Sequence, residues 1–203
     1  NSYCYWKIEG SPEMRTGLKR SKQRDAIVNY LRSTKEHPTA DTIYMNVKKE
    51  RNIKMTIYFD MDGTICNLYA NPTWLEQLRA YDPTPYATAK PLVNMSRLAR
   101  LIRTLQKQGH KVGVISWLSK CSTAEYDRKV TKAKNAWLNQ HLPSVSFDEI
   151  HIVTYGTPKS TVATDKNGIL FDDESNNRLE WNGNAYCEDR IFEILNRIKK
   201  ENK

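Results

Sequence analysis

From Met55 onward the chain alternates short, unbroken apolar runs with longer stretches in which apolar residues recur every three or four positions. Met55–Phe59, Lys111–Ser116, Glu149–Val153 and Ile169–Phe171 read as strands, and their continuous apolar character suits strands covered on both faces. Between them, Leu98, Leu101, Ile102 and Leu105 share one face of a helix expected over about Met95–Gln108, which Gly109 would stop. A second helix is expected over about Thr123–Gln140. Strands alternating with helices specify an α/β architecture around a parallel sheet. In such sheets a ligand lies beyond the carboxyl ends of the strands, where Asp60, Ser116 and Asp172 all fall.

Before Met55 the pattern differs. Ala26, Ile27, Tyr30 and Leu31 recur at helical spacing over Ser21–Ser33, with Ser21 placed to cap. After the break at His37-Pro38, Thr39 can cap a second helix whose Ile43, Tyr44 and Val47 share a face. Residues 1–13, with Tyr3, Tyr5 and Trp6, show no period. Two segments follow from this change of pattern: a basic helical appendage over 1–54 and an α/β domain over 55–203.

Composition narrows the class. Of 203 residues, 39% are apolar, enough for a core, and no apolar run approaches the roughly 20 residues that cross a bilayer. A cytosolic protein without membrane contact is expected. Cys4, Cys66, Cys121 and Cys187 show no paired metal-ligand spacing and are expected as free thiols. The net charge of +9 is uneven: residues 1–54 hold 12 Lys/Arg against 6 Asp/Glu, and residues 55–203 hold 20 against 17. That excess in the first quarter suits either nucleic-acid phosphates or a solvated helical face.

The chemistry concentrates at the first strand's end, in Asp60-Met61-Asp62-Gly63-Thr64. Two carboxylates one residue apart beside a core repel each other and lose solvation. A hard divalent cation with oxygen ligands would relieve both costs, and magnesium, shared between a few carboxylates and a substrate phosphate, fits. Gly63-Thr64 adds a flexible turn whose backbone N–H groups can face an anion.

This stretch resembles the first motif of the haloacid dehalogenase superfamily. Ser116, closing Val112-Gly113-Val114-Ile115-Ser116, resembles the second motif; Lys159, in Gly156-Thr157-Pro158-Lys159-Ser160, the third; and Asp172-Asp173, after Ile169-Leu170-Phe171, the fourth. The resemblance implies a Rossmann-like parallel sheet over 55–203, with a small helical cap at about 65–94 containing Trp74, Leu75 and Leu78. It implies a magnesium-dependent phosphohydrolase. Asp60 would be the nucleophile that forms an aspartyl phosphate, and Asp62 would protonate the leaving oxygen and then activate water. Gly63, Thr64, Ser116 and Lys159 would contact phosphate, with Trp117 beside them, and Asp60, Asp62, Asp172 and Asp173 would serve the metal. Trp181-Asn182-Gly183-Asn184-Ala185-Tyr186 adds a similarity to deoxyribonucleotide 5'-phosphatases of bacteria and phages, so the expected substrate is a nucleotide or another small phosphomonoester. Tyr69, Trp74, Tyr81 and Tyr86 can stack on a base or form the cap's own small core. The competing reading is a noncatalytic nucleic-acid-binding or regulatory protein on a degenerate phosphatase fold.

The appendage has its own resemblance. Ser21-Lys22-Gln23-Arg24-Asp25-Ala26-Ile27 and His37-Pro38-Thr39-Ala40-Asp41-Thr42-Ile43-Tyr44 resemble the opening helices of ferric uptake regulators, which begin a DNA-binding winged helix. After Glu50, however, the chain passes into the strand at Met55 where a recognition helix and wing would belong. No regulator metal site is carried over. Residues 14–50 are expected to pack or oligomerise; weak DNA binding through Lys19, Arg20, Lys22 and Arg24 is the alternative.

Overall fold

The computed structural model describes residues 22–34, 38–43 and 54–201. Tyr3, Tyr5, Trp6, Ser21 and His37 lie outside them. The chain divides into two compact units, Asn1–Arg51 and Asn52–Lys203.

In the first unit, α1 (Lys22–Ser33) has the expected extent, and Ser33 Oγ donates back to the Tyr30 carbonyl at 2.8 Å. A second helix, α2, is described over residues 40–43. Thr39 starts it: its Oγ1 accepts from the Thr42 N–H at 3.2 Å, and its carbonyl accepts from the Ile43 N–H at 3.0 Å.

The second unit is an α/β fold with a five-stranded parallel sheet. Its strands are β1 (Thr56–Phe59), β4 (Lys111–Trp117), β5 (Glu149–Val153), β6 (Ile169–Phe171) and β7 (Asn184–Tyr186), in the spatial order β5-β4-β1-β6-β7. The chain therefore builds outward from β1 through β4 to β5, then crosses to the other side for β6 and β7. That reversal places a switch point beside β1, where parallel sheets open a crevice at their carboxyl edge.

Apolar side chains fill both faces of the central strands. Tyr58, Ile115 and Leu170 form one buried cluster with Ala163 and Trp181. The alternate positions Ile57, Phe59, Val112, Val114, Ile169 and Phe171 are equally buried on the other face, where Phe59 and Phe171 stack at 5.2 Å. Each such side chain contributes roughly 1.5–3 kcal/mol by burial. β5 departs from the fully covered strand expected. It is an edge strand paired only with β4, and Ile150 on it is exposed.

α5 (Met95–Lys107) buries Leu98, Leu101, Ile102 and Leu105; Asn94 caps it by accepting from the Arg97 N–H at 2.9 Å. Gly109, at φ +90°, ends it in a conformation L side chains rarely adopt. α6 (Ala124–His141) starts at Thr123, whose side chain accepts from the Tyr126 N–H. α7 (Lys159–Val162), α8 (Ser175–Glu180) and α9 (Ile191–Glu201) complete the helices around the sheet.

The segment after β1 is a small helical insertion, termed the cap. β2 (Cys66–Asn67) and β3 (Lys90–Pro91) pair antiparallel at its base and carry α3 (Trp74–Arg79) and α4 (Thr84–Thr88) between them. Among the described residues no helix is long and apolar enough to cross a membrane, and Cys66, Cys121 and Cys187 are free thiols.

Candidate active site

Parallel pairing on both sides of β1 brings the ends of three strands together. Thr56–Phe59 pairs with Lys111–Val114, and Ile57–Phe59 with Ile169–Phe171, so the residues that follow β1 and β6 are neighbours. The Asp60 N–H extends this ladder by donating to the Phe171 carbonyl at 2.8 Å. Asp60 and Asp172 thus leave adjacent strands at the same level, both buried.

Carboxylate oxygens of Asp60, Asp172 and Asp173 lie within 4.8 Å of one another. One cation stands among them: Lys159 Nζ, at the start of α7, lies 2.5 Å from Asp172 Oδ2 and 3.1 Å from Asp60 Oδ1. Asn177 from α8 donates to both oxygens of Asp172, at 3.1 and 3.2 Å, and the Glu174 N–H reaches its Oδ1 at 3.0 Å. Asp172 is therefore fully engaged. Asp60 Oδ1 is not: it is buried with no hydrogen-bond donor of its own and has only the ion-pair contact with Lys159.

Electrostatics follow from crowding. Burial first, and then the Asp60 carboxylate, push Asp172 up to about 6. Burial followed by Asp60 and Asp172 pushes Asp173 up to about 7. Burial works against charge on Lys159 as well, but the carboxylates of Asp60 and Asp172 outweigh it and hold the ammonium above its ordinary value. Three acids against one base leave negative charge that a divalent cation would offset, and the clustered oxygens of Asp60, Asp172 and Asp173 are suitable ligands. The residues present fit such an ion.

Asp173 is held by the turn after β1. Thr64 Oγ1 accepts from the Asp173 N–H at 3.0 Å and donates to Asp173 Oδ1 at 3.2 Å. Gly63 sits at φ +77°, and a Cβ there would fall 2.2 Å from Asp173 Oδ2, so only glycine lets the carboxylate come this close. The N–H groups of Gly63 and Thr64, expected to face an anion, instead donate to the carbonyls of Cys66 and Met61 at 2.9 and 3.2 Å. A turn this tight closes on its own donors; in the structure it positions Asp173.

Asp62 stands apart from the three-acid cluster. Its Oδ2 accepts from Lys134 Nζ at 2.6 Å and its Oδ1 from the Cys66 thiol at 3.4 Å. Burial chiefly, with the Asp60 carboxylate adding to it and the Lys134 ammonium opposing it, raises Asp62 above the usual carboxylate range. Ser116, at the end of β4, is completely buried, and its Oγ accepts from the same Lys134 at 2.8 Å. Lys134 was not foreseen in the sequence. It sits in the middle of α6, and its place four residues after Val130 and three and four before Trp137 and Leu138, on the helix's buried face, sets it apart from solvated lysines.

Asp60, Asp62 and Asp173 open into a cavity of about 780 Å³. Trp117 and Tyr155 line one wall with their rings 4.9 Å apart; Trp117 Nε1 donates to the Thr157 carbonyl at 2.8 Å, and Lys159 Nζ lies 5.4 Å from the centre of its ring. Tyr69, Trp74, Tyr81 and Tyr86 line the cavity from the cap. They also make the cap's own packing, with Tyr69 edge-on to Trp74 at 5.1 Å, Tyr81 edge-on to Tyr126 at 5.4 Å, and Tyr86 buried among Leu68, Leu118 and Val130. Lys120 and Arg79 add positive charge at the same cavity.

One family description matches the chain: the ferric uptake regulator family, over residues 15–61. The match covers about a quarter of the sequence and runs through β1 to Met61, where the chain forms the central strand of a parallel sheet. No curated protein matches the chain.

Proposed function

We propose that this chain is a magnesium-dependent phosphohydrolase of the haloacid dehalogenase type, acting through an aspartyl phosphate on a nucleotide or another small phosphomonoester. The observation that carries the reading is Asp60. Its carboxylate lies at the carboxyl end of the central strand and lines a cavity, with a buried oxygen whose ion-pair partner is Lys159 at 3.1 Å and two further acids clustered around it. The ordered resemblance of Ser116, Lys159 and Asp172-Asp173 to the remaining motifs supports it.

An Asp60 oxygen attacks phosphorus, the bond from phosphorus to the leaving oxygen breaks, and its electron pair is protonated by Asp62. Water then attacks the phosphorus of the aspartyl phosphate and gives its proton to Asp62. The Asp60–phosphorus bond breaks and the carboxylate is restored. Asp60 must be ionised for the first step and Asp62 protonated, and the raised pKa of Asp62 suits that division. Magnesium, when bound by Asp60, Asp172 and Asp173, supplies charge that screens the carboxylate from the phosphate. Lys159 sits where positive charge can meet the transferring group. The aromatic walls suit the planar base of a nucleotide, which supports that class of substrate.

The test is turnover of an aryl phosphate and a nucleotide panel with and without magnesium, for the native chain and Asp60→Asn. Metal-dependent release of phosphate that Asp60→Asn lacks is expected; no turnover of any of these compounds ends the enzyme reading. Weak DNA binding through the basic residues of the first unit is the alternative to packing or oligomerisation there. An electrophoretic shift series in salt decides it, since phosphate contacts weaken steeply as salt rises.

A further inference from the structure

Lys134 is as deeply buried as Lys159. Its side chain is 1% exposed, yet three acceptors surround Nζ at hydrogen-bond length: Asp62 Oδ2 at 2.6 Å, Ser116 Oγ at 2.8 Å and the Trp117 carbonyl at 2.7 Å. The ring of Tyr86 lies 5.0 Å from it. An ammonium has three N–H donors, so all three are used, as burial of a full charge requires.

The consequence lies in what the partners have left. Asp62 Oδ2 is tied down, whereas Oδ1 meets only the weakly donating Cys66 thiol at 3.4 Å. The Ser116 hydroxyl has one lone pair taken by Lys134, so its own proton is available for another acceptor. One side chain from α6 thus fixes the acid after β1 and the end of β4 together.

Resting on the phosphohydrolase reading, we infer that Lys134 is a positioning residue for proton transfer: by pinning Asp62 Oδ2 it presents Oδ1 as the oxygen that gives and takes the proton. The proton moves from Asp62 Oδ1 to the leaving oxygen as the phosphorus–oxygen bond breaks, and returns from water when the aspartyl phosphate is hydrolysed. A substrate whose leaving oxygen needs no proton bypasses the first of these transfers. A poor leaving group does not.

Lys134→Met is compared with the native chain on an activated aryl phosphate and an alkyl phosphate, reading kcat/KM, which reports steps through the first bond cleavage. The expected result is a loss of about 100-fold on the alkyl phosphate and less than about threefold on the aryl phosphate. In acid-quenched aryl phosphate reactions, more Lys134→Met than native protein should carry a phosphoryl group on Asp60, because hydrolysis of the aspartyl phosphate also needs Asp62. Should Lys134→Met fail to fold by circular dichroism, Lys134→Gln carries the same comparison. Equal losses on both substrates, or none on either, overturn the assignment while leaving the phosphohydrolase reading intact. Absence of metal-dependent turnover by the native chain removes both.

Discussion

Two buried lysines flank the turn after β1, and they do opposite things. Lys134 is saturated, with every donor on an acceptor and both of its side-chain partners held in place. Lys159 is shared between Asp60 and Asp172, and Asp173 adds a third acid. The first half of the site is complete as it stands. The second is short of positive charge. On the proposed phosphohydrolase reading, such a site would hold its proton carrier rigid and leave its phosphate-facing side to be finished by a cation.

The largest effect expected on that contrast is from Asp60→Asn, which should lower turnover by at least about 10⁴-fold, measured as phosphate release, because no other carboxylate can take its place at the strand end. Next are the lysines themselves. Removing one partner of a buried ion pair costs about 3–5 kcal/mol, so Lys159→Met and Lys134→Met should both lower the thermal midpoint of the metal-free protein. Magnesium should restore much of the loss in Lys159→Met and little in Lys134→Met. Equal recovery in both would erase the distinction between the two halves.

A smaller effect concerns pH. Asp173 is pushed up to about 7 by burial and by Asp60 and Asp172, above its value of about 3.9 in an unfolded chain. A carboxyl with a raised folded pKa favours the fold only when protonated. Its cost is absent below about pH 4, grows as the pH rises, and is complete above about 7. Metal-free Asp173→Asn should therefore be more stable than the native chain above pH 7, by on the order of 2 kcal/mol after discounting the full shift by about half for solvent screening at this partly exposed group, and no more stable near pH 4. Added magnesium should reverse the order at high pH. Smallest of all, Thr64→Val removes the two hydrogen bonds that hold Asp173 and should cost about 1 kcal/mol in denaturant unfolding.

The carboxylates Asp60 and Asp172 were legible in the sequence from local patterns, whereas Lys159 was singled out only by resemblance. Asp60 and Asp172 each end an unbroken apolar run, and a parallel sheet must bring such ends together. The helices were equally plain: Leu98 to Leu105 at helical spacing, with Gly109 after them, gave α5 almost to the residue. The Lys134 half was hidden because a lysine in a long, lysine-rich helix looks like a solvated one, and its burial depends on how α6 packs under the cap through Tyr126, Val130 and Tyr86. The turn at Gly63-Thr64 was recognisable, but its role was not. Which acceptor a backbone N–H finds depends on how tightly the turn closes, and here it closes on Met61 and Cys66. In the first unit the Thr39 cap was readable from residue type alone, since its side chain acts only three residues away.

The most direct measurement is the mass of the Asp60 peptide after an acid quench during turnover of an aryl phosphate with magnesium. One added phosphoryl group on that peptide, absent without magnesium and absent in Asp60→Asn, is the predicted result. Turnover by the native chain with Asp60 unmodified at every quench time, accompanied by full activity in Asp60→Asn, would contradict it.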